Sequence, residues 1–224
     1  MEKIIEEFIK NKDNNDNLDK INSKFKFYIK EIIKPIVPKP IVYENISGIQ
    51  GLWYVENYLS IDLHNNILDL LKEINFEPIG KNYNSRRVAH FGYYYSYNKS
   101  GLKTAPAIPE YLQNLVPSDK INNTIKKDLL DKEFNQLIIN EYKSNQQISY
   151  HTDHKTQFGP IIACITIGES VPIMFKNNHT IKTLDIKKGS LYIMTGESRY
   201  IWQHSLKNNS ENTRYSLTFR TALN

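Results

Sequence analysis

Between residues 136 and 220 the sequence is cut into eight short stretches of seven or eight residues: QLIINEY, QISYHTD, IIACITIG, VPIMFKN, HTIKTLDI, SLYIMTG, YIWQHSL and TRYSLTFR. Each is rich in β-branched and aromatic side chains, and turn-forming residues rather than helical stretches separate them. That pattern predicts a jelly roll or barrel and argues against a parallel sheet. Ahead of it, GLWYVENYL reads as a strand. Ser60 is a plausible N-cap, and Leu63, Ile67, Leu70, Leu71 and Ile74 form the stripe of an amphipathic helix. RRVAHFGYYYSY is strand-like and aromatic, and AIPEYLQNLV carries a weak helical pattern. The expected fold class is α+β, a jelly-roll core with flanking helices.

Residues 1–42 differ from the rest. MEKIIEEFIK and INSKFKFYIKEIIK each place apolar residues near helical spacing, and the Asn/Asp-rich NKDNNDN between them is a poor helix former. Three prolines in KPIVPKP forbid a continuing helix and predict a stiff extended linker. This segment is expected to be a partly helical N-terminal extension, with the main domain spanning residues 43–224.

Composition narrows the class of protein. Apolar residues make up 40% of the 224, enough for a full core. No apolar run reaches the length of a membrane span, and the N-terminus has no signal-peptide pattern. Cys164 is the one cysteine, so no internal disulfide forms, and a reducing compartment suits it. It sits in the apolar PIIACITIG, where a buried inert thiol is the better reading. A soluble intracellular protein, cytoplasmic or nuclear, is expected. The net charge of +5 favours an acidic partner, nucleic acid being the commonest. Its Lys/Arg residues are scattered, however, and most such pairs are a solvated face.

In YHTDH, strand alternation puts His151 and Asp153 on one face. His204, in YIWQHSL, adds a distant third candidate. Two histidines and a carboxylate have the composition of the facial triad that holds non-haem Fe(II), although Zn²⁺ or Mn²⁺ can use the same ligands. The plain alternative is a surface His-x-Asp. In RYSLTFR, Arg214, Ser216, Thr218 and Arg220 fall on one face, and Tyr215, Leu217 and Phe219 on the other. Pointing outward, the first face is a solvated strand. Pointing into a barrel mouth, its guanidiniums need anions, and a dicarboxylate satisfies them with bidentate bonds.

The order HxD, distant His, then R-x-S-x-T-x-R resembles the AlkB-like family of Fe(II)/2-oxoglutarate-dependent dioxygenases. MTGESRYIWQHSL, INEYKSNQQISYHTD and RYSLTFR carry the resemblance, which covers roughly residues 48–224. INEYKSNQQISYHTD and RYSLTFR are most similar to the branch whose human member hydroxylates a wobble-uridine side chain in tRNA, and GLWYVENYLS and SRRVAHFGYYYSY fit that branch too. The resemblance implies a double-stranded β-helix core that binds Fe(II) and 2-oxoglutarate, uses O₂, and is assayed with ascorbate in vitro. It implies His151, Asp153 and His204 as iron ligands, and Arg214 as partner of the distal carboxylate of 2-oxoglutarate. Arg220 lies near the proximal carboxylate, Asn140 and Tyr142 match the family's Asn-x-Tyr, and Ser216 completes the cofactor set.

Two departures from repair-type members bear on substrate. Ser216 stands where they carry Asn, and Lys155 stands where they place an acidic residue that contacts the damaged base. A lysine cannot accept a hydrogen bond from a base amine; it meets a phosphate or acidic modification, or is merely solvated. Arg86, Arg87, His90, Tyr93 and Tyr95 are the other substrate-side candidates, as phosphate contacts and stacking aromatics of a lid. A half-buried strand pair is the bland reading of that stretch.

The reaction implied couples decarboxylation of 2-oxoglutarate to succinate with hydroxylation of a C–H bond, the cofactors carrying the hard chemistry. A modified base in tRNA is the leading substrate, either hydroxylated or oxidatively demethylated. The alternatives are an alkylated DNA or RNA repair demethylase and, in another class, a protein or small-molecule hydroxylase. The branch's human member carries an RNA-recognition module and a methyltransferase, and neither is expected within this sequence. A separate methyltransferase or RNA-binding partner is therefore expected, or a different substrate. The oligomeric state is left open.

Overall fold

The computed structural model describes residues 38–79, 85–95 and 102–223. The chain divides into two compact units, Met1–Pro38 and Lys39–Asn224, and nearly all described residues belong to the second. The helices expected near the N-terminus lie outside the described residues, as do Ser96 and Tyr97 of the aromatic stretch. In chain order the elements are β1 (Ile41–Glu44), β2 (Leu52–Glu56), α1 (Ile61–Lys72), β3 (Glu77–Pro78), β4 (Arg87–Phe91), α2 (Glu110–Gln113) and α3 (Ser118–Ile125). They continue with β5 (Gln136–Tyr142), β6 (Gln147–His151), β7 (Phe158–Gly168), β8 (Val171–Asn177), β9 (Thr180–Ile186), β10 (Leu191–Met194), α4 (Gly196–Tyr200), β11 (Gln203–Lys207) and β12 (Arg214–Ala222). Ile41 and Val42 already pair with Glu56 and Val55, so the folded domain begins just before the expected residue 43.

Two antiparallel sheets form the jelly roll. The larger runs β1-β2-β10-β7-β12-β5-β4-β3, and the smaller β6-β11-β8-β9. Both faces of the larger sheet are covered, and strand alternation divides its side chains between them. Ile161, Ala163 and Ile165 of β7, with Leu217 and Phe219 of β12, pack on the helical side against Ile67 and Leu71 of α1 and Ile121 of α3. Ile162 and Cys164 point the other way and meet Ile173 and Phe175 of the smaller sheet. Each such buried aliphatic contributes about 1.5–3 kcal/mol relative to exposure.

The helices depart from the apolar stripe in one respect. Ser60 does cap α1, its hydroxyl accepting from the Leu63 N–H at 3.2 Å. The buried face, however, is His64, Ile67 and Leu71, while Leu63 and Leu70 stay exposed. His64 is inside because its Nε2 accepts from the Gly168 N–H at 3.0 Å, tying α1 to the end of β7. A polar residue with a tertiary partner thus displaces an apolar one from the stripe. The weak helical pattern shrinks to α2, and α3 follows it, its first N–H bound by the Glu133 carboxylate.

Candidate active site

Side chains from both sheets converge on a cavity of about 360 Å³ between them. That is room for a small organic ligand. On the larger sheet, Asn140 and Tyr142 of β5 stand opposite Ser216 and Arg214 of β12 in the ladder register. All four line the cavity, together with Thr218 and Arg220. The polar face of RYSLTFR therefore points inward, not to solvent.

On the smaller sheet, His204 of β11 pairs directly with His151 at the end of β6. Asp153 follows in the irregular segment after β6 and not in the strand itself. That segment, rather than simple alternation, brings it beside His151. Nitrogen and carboxylate donor atoms of His151, Asp153 and His204 all lie within 4.8 Å of one another, a group able to hold a metal ion. The Nδ1 of His151 is 2.8 Å from the Ser149 carbonyl, which can only accept, so Nδ1 carries the proton and Nε2 is left with its lone pair.

Charge prepares the three for a cation. Burial alone pushes the Asp153 carboxyl up, but Arg220, the two histidines and Arg199 together outweigh it and bring its pKa down to about 2. Arg220 forms an ion pair with Asp153 and packs against the stacked rings of Tyr95 and Phe158, 5.2 and 5.0 Å from their centroids. Its Nη1 donates to the Gln136 side chain at 3.1 Å. Burial, then the charge of His151, pushes His204 down to about 3. At neutral pH the group is two neutral imidazoles and one carboxylate, the protonation state that metal binding requires.

Arg214 supplies the test of fit for a dicarboxylate. It is 1% exposed, and its Nη2 donates to Thr166 Oγ1 at 3.1 Å. Its Nε and Nη1 have no partner among the described residues, and the guanidinium stands 5.7 Å from the Tyr142 ring centroid. A buried cation with two unmet donors is costly, and a bidentate carboxylate relieves it. Asn140 Oδ1 accepts from Arg86 Nε at 2.6 Å, which fixes the amide with its NH₂ turned elsewhere. The Ser216 hydroxyl bonds Cys164 Sγ at 2.9 Å and lies 3.4 Å from Thr218 Oγ1.

The substrate-side candidates separate. Arg86 and Tyr95 line the cavity. Arg87 does not reach it. Its guanidinium makes two bonds to the buried Glu141 carboxylate, at 2.5 and 2.8 Å, on the opposite face of the sheet. Neither Tyr93 nor His90 lines the cavity. His90 Nδ1 accepts from the Tyr95 N–H at 3.3 Å, while burial, then Arg220 and Arg86, push its pKa down to about 4. Lys155 is exposed beyond Asp153.

One functional arginine escaped the sequence reading. Arg199 of α4 is 1% exposed and donates to the Asp153 and His154 carbonyls at 3.0 and 2.8 Å, clamping the segment that presents Asp153. The start of α4 is pinned by the Gly51 carbonyl, which accepts from the Thr195 N–H and the Ser198 hydroxyl at 2.9 and 2.8 Å. Gly51 has φ +76°, and a Cβ there would lie 2.2 Å from the Thr195 oxygen, so a larger residue would displace the helix. No local signal marks such a residue, since a Ser-Arg-Tyr reads as surface until the fold buries it.

The sequence matches the 2OG-Fe(II) oxygenase superfamily over residues 59–220, and the chain belongs to that superfamily. Within it the chain is similar to AlkB-like dioxygenases, with ALKBH8 proteins among its most similar relatives. It is 26% identical over 182 residues to the tRNA (carboxymethyluridine(34)-5-O)-methyltransferase alkbh8 of Xenopus tropicalis, covering 81% of this chain. The match covers 27% of that relative, so the chain spans about a quarter of its length. It is also 27% identical over 137 residues to the DNA oxidative demethylase ALKBH2 of Arabidopsis thaliana, 48% of this chain and 44% of that one. The solved structure of OsALKBH1 superposes with a TM-score of 0.63 at 18% identity, covering 76% of this chain and 96% of that one, a likeness of fold. The superfamily uses Fe(II) and 2-oxoglutarate, and the protein is an oxidoreductase of that type. Among the described residues, no helix is long and apolar enough to cross a membrane.

Proposed function

We propose that this dioxygenase oxidises a C–H bond on a modified nucleobase, with a uridine derivative in tRNA as the leading substrate. In this reading residues 43–224 are the dioxygenase domain. His151, Asp153 and His204 hold the iron, and Arg214 pairs with the distal carboxylate of 2-oxoglutarate. Asn140, Tyr142, Ser216 and Arg220 complete the cosubstrate's site. Bound there, Fe(II) and 2-oxoglutarate would activate O₂, one of whose oxygen atoms would enter the C–H bond as hydroxyl while the other would enter the succinate formed as the cosubstrate loses CO₂. The chain's own contribution is placement. Arg220 holds the Asp153 carboxylate ionised, the Ser149 carbonyl fixes the His151 tautomer, and Ile138, Ile148 and Leu206 give the cavity apolar wall.

The observation that carries the cosubstrate assignment is the buried Arg214 guanidinium with two unmet donors on the cavity wall. The substrate assignment rests on the likeness to an enzyme named for a tRNA uridine, with the net charge of +5 in accord. Similarity to a DNA demethylase favours a second reading, oxidative removal of an N-methyl group from a base. Nucleoside mass spectrometry on total tRNA incubated with the protein, Fe(II), 2-oxoglutarate and ascorbate separates them, with Asp153→Ala as control. A hydroxylated uridine derivative supports the first reading, and loss of a methylated base the second. Unchanged nucleosides alongside succinate formation would turn the search to DNA and proteins.

A further inference from the structure

The cavity wall holds a buried phenol that the site described above leaves without a task. Tyr192 alternates along β10 with Leu191 and Ile193, which pack on the helical side of the larger sheet. Its own side chain therefore turns the other way and lines the cavity, 4% exposed. The hydroxyl meets the Cys164 thiol and lies within range of the Arg214 charge and the Tyr142 phenol. Sulfur is a weak acceptor, and this one is already shared by the Ser216 and Thr218 hydroxyls at 2.9 and 3.6 Å. Burial above all pushes the Tyr192 pKa well above the usual phenol value, so the group keeps its proton and meets an anion as a donor. A buried donor so poorly matched favours a stronger acceptor where one can enter. Arg214, with its two unmet donors, draws an anion to the same part of the cavity.

We propose that Tyr192 is a cosubstrate-binding residue, its hydroxyl donating with Arg214 to the distal carboxylate of 2-oxoglutarate and making the site selective for a 2-oxo diacid over a monoacid. The inference rests on the assignment of Arg214 to that carboxylate. A guanidinium supplies charge and donors only in its own plane. The phenol adds a donor from a different strand, β10 rather than β12. A 2-oxo acid that ends in a methyl group leaves the hydroxyl with the thiol alone and gains nothing from it. In SLYIMTG this tyrosine reads as an ordinary core aromatic, and only the place of β10 beside β7 turns it to the cavity.

Binding tests this without turnover. Under nitrogen, the protein loaded with Fe(II) is titrated with 2-oxoglutarate and with 2-oxovalerate, in which a methyl group replaces the distal carboxylate. The visible band of the Fe(II)–2-oxo acid complex reports both. Tyr192→Phe, which removes only the hydroxyl, is expected to weaken 2-oxoglutarate binding about tenfold or more. The same variant should bind 2-oxovalerate within about twofold of the wild type and keep the wild-type affinity for Co(II). Unchanged 2-oxoglutarate binding in Tyr192→Phe, an equal loss for both acids, or a loss of Co(II) affinity would each overturn the inference. Arg214→Gln reports on the underlying reading separately. If that variant binds 2-oxoglutarate as the wild type does, the cosubstrate assignment itself fails, and this inference with it.

Discussion

His151 and His204 face each other as register partners across the β6–β11 ladder, their ring centroids 4.3 Å apart. A slip of one residue would turn every side chain of β11 to the opposite face. The pairing, with the shift in register just beyond His204, thus decides that both imidazoles point into one cavity. Once there, burial above all keeps both neutral beside an ionised Asp153, with the charge of His151 adding to the effect on His204.

That protonation state sets a pH dependence. The His204 pKa falls from 6.5 to about 3, burial being the largest cause, and His151 moves in the same direction. On acidification the unfolded chain takes up these protons first. Stability is therefore full above about pH 6.5 and is lost progressively as pH falls toward 3. Through His204 the metal-free protein should lose up to ~1 kcal/mol per pH unit in that window, with His151 adding in the same direction. Melting curves in chelator from pH 7.5 to 5 measure the slope, and His204→Asn should make it shallower. A slope unchanged in that variant would place the titration elsewhere.

Arg214→Ala removes the charge partner of a buried carboxylate, at a cost of ~3–5 kcal/mol, so the KM for 2-oxoglutarate should rise a hundredfold or more. The same change deletes a buried cation with unmet donors. The metal-free protein should hold its Tm or gain slightly. Steady-state kinetics and a melting curve read the two effects separately, and a normal KM would exclude this arginine from the cosubstrate's site.

Arg199 touches two main-chain carbonyls and no metal ligand atom. Arg199→Leu should weaken Co(II) binding tenfold or more, read from visible absorption titrations, because the segment holding Asp153 loses both anchors. Each lost bond leaves a buried carbonyl unsatisfied, at ~1–3 kcal/mol. Arg199→Lys should recover part of the affinity. Full Co(II) affinity in the leucine variant would make Arg199 a packing residue only.

Arg87 and Glu141 form a pair on the far face of the sheet, the glutamate buried and the arginine packed over Phe76 at 5.8 Å. Glu141→Ala should destabilise by ~1–3 kcal/mol in urea unfolding. Arg87→Ala should cost less, because that side chain is partly solvated, and neither change should move substrate KM. A raised KM in Arg87→Ala would return that residue to the substrate path.

By itself the sequence determined the alternation that builds the jelly roll, the Ser60 cap and the two faces of RYSLTFR. These follow from period-two patterning and local hydrogen bonding, which need no distant partner. It also offered His151, Asp153, His204, Arg214 and Arg220 as candidates, because HxD, a distant His and the arginine strand in that order carry a resemblance that none of them carries alone. The fold brings all five to one cavity. Tertiary structure decided the rest. Asp153 reaches its place through an irregular segment and not a strand, and Arg87 faces away from the cavity that its neighbour Arg86 lines. His64 goes inside because Gly168 offers an N–H, and Arg199 goes inside because Gly51 lets α4 sit close. A polar side chain's burial is settled by which donor or acceptor waits for it across the fold, and that partner lies dozens of residues away in the chain.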